Sequence, residues 1–230
     1  MDKNEVLTYL KSRGTKRNVE GLARYGIQTN RAFGVPMGTL LALAKQLGKD
    51  HALAMGLWET GWYEARLLAA LVDDPRRVTR RQMNAWAADF DNWAVCDTVC
   101  FHLFDRTPFA WEKVQKWATS PREFVKRAAF WMMASLTVHD KGAPDARFLA
   151  LLPLIEKGAH DERNFVKKAV SSALRSIGKR SLALNGAALA AAKRLTQSEQ
   201  PAPRWVGKDA LRELASTKVR SRLARRSQRP

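Results

Sequence analysis

The sequence predicts an all-α fold: a superhelical stack of antiparallel HEAT-like helix pairs, a C-shaped α-solenoid. Three observations carry this. Leu and Ala recur at intervals of three and four along most of the chain, while strand-like alternation is scarce. Gly, Pro, Asp and Asn break the pattern often, so connections are short and neighbouring helices run antiparallel. The segment REFVKRAAF (122–130) returns as RNFVKKAVS (163–171), an offset of 41. A period near 40 in a helical chain is the spacing of HEAT or armadillo repeats.

In chain order, helices are expected near 3–12 and 16–25, then near 36–47, where Pro36 sits at the start. A missing N–H costs least at that position. Helices near 49–59, 62–72, 79–89 and 91–104 follow, bounded by Gly, Asp and Asn. Pro108, Pro121, Pro144 and Pro203 then lie at or near the starts of helices expected near 108–118, 121–138, 144–157 and 203–215. Helices near 161–178 and 181–195 lie between the last two. Residues 1–215 read as one domain. Residues 216–230, STKVRSRLARRSQRP, read as a basic tail with six cations and no acid. The tail is either a frayed helix or a disordered arm, and either adds phosphate affinity or only solubilises.

The 230 residues carry 40 Lys plus Arg against 22 Asp plus Glu, a formal charge of +18. Such a field attracts polyanions, with nucleic acid the leading partner. The alternative is a basic protein with no such partner. No apolar run approaches the ~18 residues of a membrane span, and MDKNEVLTYLKSRG lacks a signal peptide's apolar block. No membrane association and a cytoplasmic location are expected. Two cysteines, Cys96 and Cys100, are too few for a zinc or iron–sulfur site and read as small buried apolar residues. No metal or other cofactor is expected.

In register, the repeats place Lys126–Arg127 and Lys167–Lys168 at equivalent positions. A weaker echo, YEARLLAAL (63–71), places Arg66 likewise. A ladder of these cations would displace counterions from duplex DNA; scattered lysines on a solvated face are the alternative. In DFDNWAVCDTVC (89–100), Trp93 and Asp97 are four apart and share a helix face. They are either a functional pair or a packed Trp beside an Asp that favours the helix dipole.

Five blocks in order carry a family resemblance: RNVEGLARYGIQTNRAFGVPMGTLLALAKQLG, LWETGWYEARLLAALVDDP, DNWAVCDTVC, EFVKRAAFWM and NFVKKAVSSALRSIG. Over roughly residues 1–215 the chain resembles the DNA alkylation repair family (AlkD-like, HEAT-like-repeat alkylpurine DNA glycosylases). The resemblance implies hydrolytic removal of positively charged N3- and N7-alkylated purines from double-stranded DNA, by a monomer. It places Asp97 at the carboxylate that stabilises the oxocarbenium-like sugar or positions water. It places Trp93 against the cationic lesion, Arg127 on the neighbouring phosphate, and Tyr25 as a further aromatic near the lesion.

One departure stands out. The family's second lesion-facing Trp falls here on Ser172, preceded by Ser171. Three readings stay open: Ser172 is tolerated, the protein is a divergent member that binds DNA structures but excises poorly or accepts different lesions, or the serine is an introduced substitution. Trp131 and Trp205 are the neighbouring aromatics to weigh as replacements. A protein-interaction scaffold with an acidic partner is the third functional class.

Overall fold

The computed structural model describes residues 1–227, which form helices, turns and connections without a strand. The chain makes two compact units, Met1–Phe109 and a second that begins at Ala110.

The first unit contains α1 (Lys3–Arg13), α2 (Lys16–Leu22), α3 (Met37–Leu47), α4 (His51–Glu59), α5 (Tyr63–Val72), α6 (Arg80–Ala88) and α7 (Trp93–His102). Side chains set the starts. Asp2 and Glu5 close a capping box on α1, and Asp50, Thr79 and Asn92 cap α4, α6 and α7. Capping by Asn92 is why α7 begins at Trp93 rather than at 91. The expected 16–25 helix tightens into a 3₁₀ turn at Ala23–Tyr25 and stops at Gly26, whose φ is 71°. Helix α5 is apolar on nearly every side, with Ala65, Leu67, Leu68, Ala69, Ala70 and Val72 buried, and it packs against α3, α4 and α7. Beside it, Trp58 and Trp86 stack with ring centroids 4.0 Å apart.

The second unit contains α8 (Ala110–Trp117), α9 (Glu123–His139), α10 (Asp145–Leu149), α11 (Leu152–Gly158), α12 (Asn164–Gly178), α13 (Leu182–Thr196), α14 (Pro201–Leu214) and α15 (Thr217–Ser227). The repeated segments open α9 and α12, which pack on each other with the Phe124 and Phe165 rings 5.6 Å apart. On α12, Val166, Ala169, Val170, Ala173, Leu174 and Ile177 bury one stripe, as a 3.6-residue period requires. The single helix expected over 144–157 breaks after Leu149. Pro153 has no N–H for the Leu149 carbonyl and its ring crowds that turn, so the chain restarts with Pro153 in the first turn of α11. The segment read as a tail is helical to Ser227, and Val219 and Leu223, four apart, are buried against α13 and α14. Residues 228–230 of that segment lie outside the described residues. Among the described residues, no helix is long and apolar enough to cross a membrane.

Helices α13 and α14 meet closely at Gly207. A Cβ there would stand 2.6 Å from the Ala192 carbonyl oxygen and 2.8 Å from the Thr196 nitrogen, both backbone atoms. Gly207→Ala is therefore expected to push the two helices apart and destabilise the second unit by about 1–3 kcal/mol. Urea denaturation followed by circular dichroism measures this; an unchanged midpoint would show that the contact yields freely.

Candidate nucleic-acid interface

In the first unit, the expected site residues gather around the turn into α7. Asn92 accepts a hydrogen bond from the Val95 N–H at 3.0 Å, which holds Trp93 in the first turn. The Trp93 indole N–H donates to the backbone carbonyl of Tyr25 at 2.8 Å. This fixes the half-buried Trp93 against the 3₁₀ turn, where Tyr25 is 69% exposed. Asp97 follows one turn later and is buried, with 8% of its surface exposed. The structure thus joins Trp93 to the Tyr25 backbone and sets Asp97 one turn further along α7. Burial pushes the thiol of Cys100, also on α7, well above its ordinary range, and neighbouring Cys96 adds to the shift.

Arg66 has a different setting. Its guanidinium donates to the Asp89 carbonyl at 3.2 Å, lies 3.8 Å from the Asp89 carboxylate and stands 5.0 Å from the Trp58 ring centroid. Trp58 donates to the same carboxylate at 2.9 Å. Arg66 therefore ties α5 to the residue that ends α6, just before the α7 cap.

Glu64 was not among the expected residues. It is 1% exposed and accepts the backbone N–H groups of Phe33, Gly34 and Val35 at 2.9, 2.6 and 3.1 Å. A carboxylate holding three backbone donors fixes the loop before α3. Gly34 is required there: its φ is 81°, and a Cβ would meet the Thr15 oxygen at 2.2 Å. The signal in the sequence was an acid inside the apolar run YEARLLAAL. Glu64, Gly34 and Tyr25 line a cavity of about 540 Å³ with Arg17, Arg24 and Met37.

In the second unit, equivalent cations take different roles. Lys126 donates to Asp161 at 2.9 Å, and Arg163 grips the same carboxylate at 2.6 and 2.9 Å. Arg127 is 5% exposed; it donates to the Phe165 carbonyl at 2.5 Å and lies 5.5 Å from the Trp131 ring centroid. Their repeat counterparts differ. Lys167 sits 5.2 Å from the centroid of Trp205 on α14, and Lys168 is exposed. The difference comes from what the next helix offers: Asp161 and the Phe165 carbonyl meet the α9 pair, and Trp205 meets Lys167.

Ser171 is 1% exposed and donates to Asp209 at 2.6 Å. Half-buried Ser172 accepts from Arg175 at 3.2 Å, while Arg175 also holds Glu213 at 2.6 Å. By the 41-residue offset, Ser172 is the counterpart of Trp131. Among the described residues, no group of three or more His, Cys, Asp or Glu side chains could hold a metal ion.

Helix pairs repeated along an all-α chain define a HEAT-like-repeat protein, and comparison with solved structures agrees. One such structure is of a protein from a family related to the HEAT-like repeat DNA glycosylases with affinity for branched DNA structures. It matches with a TM-score of 0.77 at 21% identity, covering 93% of this chain and 96% of that one. The chain belongs to the DNA alkylation repair enzyme family, whose model matches residues 6–214. A designed armadillo repeat protein in complex with a (KR)4 peptide is more distant, with a TM-score of 0.40, 13% identity, and 82% and 80% of the two chains covered. No curated protein matches.

The Asp161 cluster has a pH signature. Burial pushes its carboxyl up, but hydrogen bonds from Arg163 and Lys126 outweigh this and hold it well below the ordinary carboxylate range. The folded state therefore resists protonation more than the unfolded chain. The stability this provides is present at neutral pH and drains away as pH falls below about 4 toward the folded value. Asp161→Asn is expected to lower neutral-pH stability and flatten the acid limb of stability against pH. A variant with the wild-type acid limb would remove Asp161 from that role.

Proposed function

We propose that the protein hydrolyses the N-glycosidic bond of positively charged N3- and N7-alkylated purines in double-stranded DNA. The observation that supports this best is the pairing on α7: a buried carboxylate, Asp97, one turn after Trp93, whose indole is pinned to the Tyr25 carbonyl.

An alkylated purine already carries positive charge. When its bond to the sugar C1′ breaks, the electron pair returns to the base, which leaves neutral and needs no general acid. The positive charge moves to the sugar. Asp97 stabilises that charge and orients the water whose oxygen bonds to C1′, and the water's proton passes to the carboxylate or to solvent. Trp93 presents a π-face that attracts the cationic base, with Tyr25 as a second aromatic beside it. The formal charge of +18 draws the duplex in, and Lys167 and Lys168 meet phosphates. Arg127, 5% exposed and bonded to the Phe165 carbonyl, enters as a positioning residue that holds the turn carrying those lysines. Lys126 and Arg66 brace neighbouring helices in the same way.

Ser172 favours a second reading, a catalytically weak binder of DNA structures. Its hydroxyl accepts from Arg175 at the position where the family resemblance implies a Trp, and the structural relative with 96% of its chain covered belongs to a family with affinity for branched DNA structures.

Release of N7-methylguanine from a defined duplex separates the two. On the first reading the wild type releases base, and Asp97→Asn slows release by roughly 100- to 1,000-fold with DNA affinity unchanged. Release by Asp97→Asn at the wild-type rate would exclude Asp97 from the chemistry. No release by the wild type, tight binding of branched DNA and activity gained in Ser172→Trp would establish the second reading.

A further inference from the structure

Of the eight Trp residues, Trp205 is the most exposed, with 39% of its surface open. It contributes little to the core of α14, whose buried side is Ala202, Pro203, Val206, Gly207, Ala210 and Leu214. Its ring instead meets the Lys167 ammonium, 5.2 Å from the centroid. Lys168, Arg204 and Lys208 are exposed on the same two helices. The nearby acids are engaged elsewhere: Asp209 takes Ser171 and Arg212, each at 2.6 Å, and Glu213 takes Arg175 and Lys179, each at 2.6 Å. The result is a partly exposed indole in positive surroundings.

We propose that Trp205 and Lys167 form a stacking platform for an unpaired nucleotide of DNA. An indole face binds any base by stacking, and adjacent ammonium groups take the flanking phosphates. Within a duplex, each base is covered by its neighbours, so such a face selects flaps, branches and single-stranded tails. Duplex phosphates need only the cations. The platform presupposes the DNA binding argued above, and it supplies a preference for unpaired strands that phosphate contacts alone do not.

Fluorescence anisotropy of the full chain at one salt concentration tests this with three probes: a blunt duplex, the same duplex with an oligothymidine tail, and one with an abasic tail of equal length and charge. The thymidine tail is expected to bind roughly 5- to 150-fold more tightly than the abasic tail, the equivalent of one stacked base. Trp205→Ala should erase that difference and leave blunt-duplex affinity in place, with its fold checked by circular dichroism. Trp205→Phe should keep most of it. Blunt-duplex binding with equal affinity for the two tails, or a thymidine preference that survives Trp205→Ala, overturns the platform alone. Failure of the wild type to bind any of the three overturns DNA binding and the platform together.

Discussion

In the second unit, a cation on one helix bonded to an oxygen one repeat away is the tie on which the packing depends. Lys126 reaches Asp161, Arg127 reaches the Phe165 carbonyl, Arg163 reaches back to Pro121, Arg175 reaches Glu213 and Arg180 reaches the Thr137 carbonyl. The sequence separations run from 35 to 43 residues, the length of one repeat. A chain with a formal charge of +18 repels itself when compact. Placing cations on carboxylates and on backbone carbonyls turns part of that repulsion into directed bonds. Arg180 illustrates this beyond α12, donating to the Thr137 carbonyl in the last turn of α9 and to the Lys141 and Ala143 carbonyls of the connection that follows it.

The first unit uses a shorter stride. Trp58 reaches Asp89 and Phe33 reaches Glu64, each across 31 residues. Its helices run from 7 to 11 residues, against 14 to 17 for α9, α12, α13 and α14. Against that stride, the bond from Trp93 to the Tyr25 carbonyl spans 68 residues. It ties the start of α7 to the end of the second helical segment, and the glycosylase reading depends on the rigidity it provides.

The fold was largely legible in the sequence because it rests on local pattern. The apolar stripe of FVKKAVSSAL is the buried face of α12, and the 41-residue echo marks two helices that touch. Pro153 was equally visible, and its missing N–H accounts for the break within 144–157. Val219 and Leu223 sit four apart in a segment read mainly by its charge, which hid the apolar edge that docks it. The roles of individual cations were not legible, because each depends on an atom about one repeat away. Lys126 and Lys167 both end a Phe-Val-Lys triplet, yet one finds Asp161 and the other Trp205. Glu64 showed only as an acid among apolar residues, and nothing local indicated that the Phe33–Val35 backbone would meet it.

The two serines of α12 come under the same rule. Ser171 is a packing residue: at 1% exposure and bonded to Asp209, it fills the seam with α14, where a larger side chain would force the helices apart. Ser172 accepts from Arg175, the residue that also grips Glu213, so its surroundings are polar and occupied. An aromatic at 172 would have to displace that guanidinium from the serine and cover a charge that now ties α12 to α14. The smallness of these two residues therefore follows from the α12–α14 tie. Trp205, on the neighbouring α14, meets Lys167 and is exposed without breaking that tie.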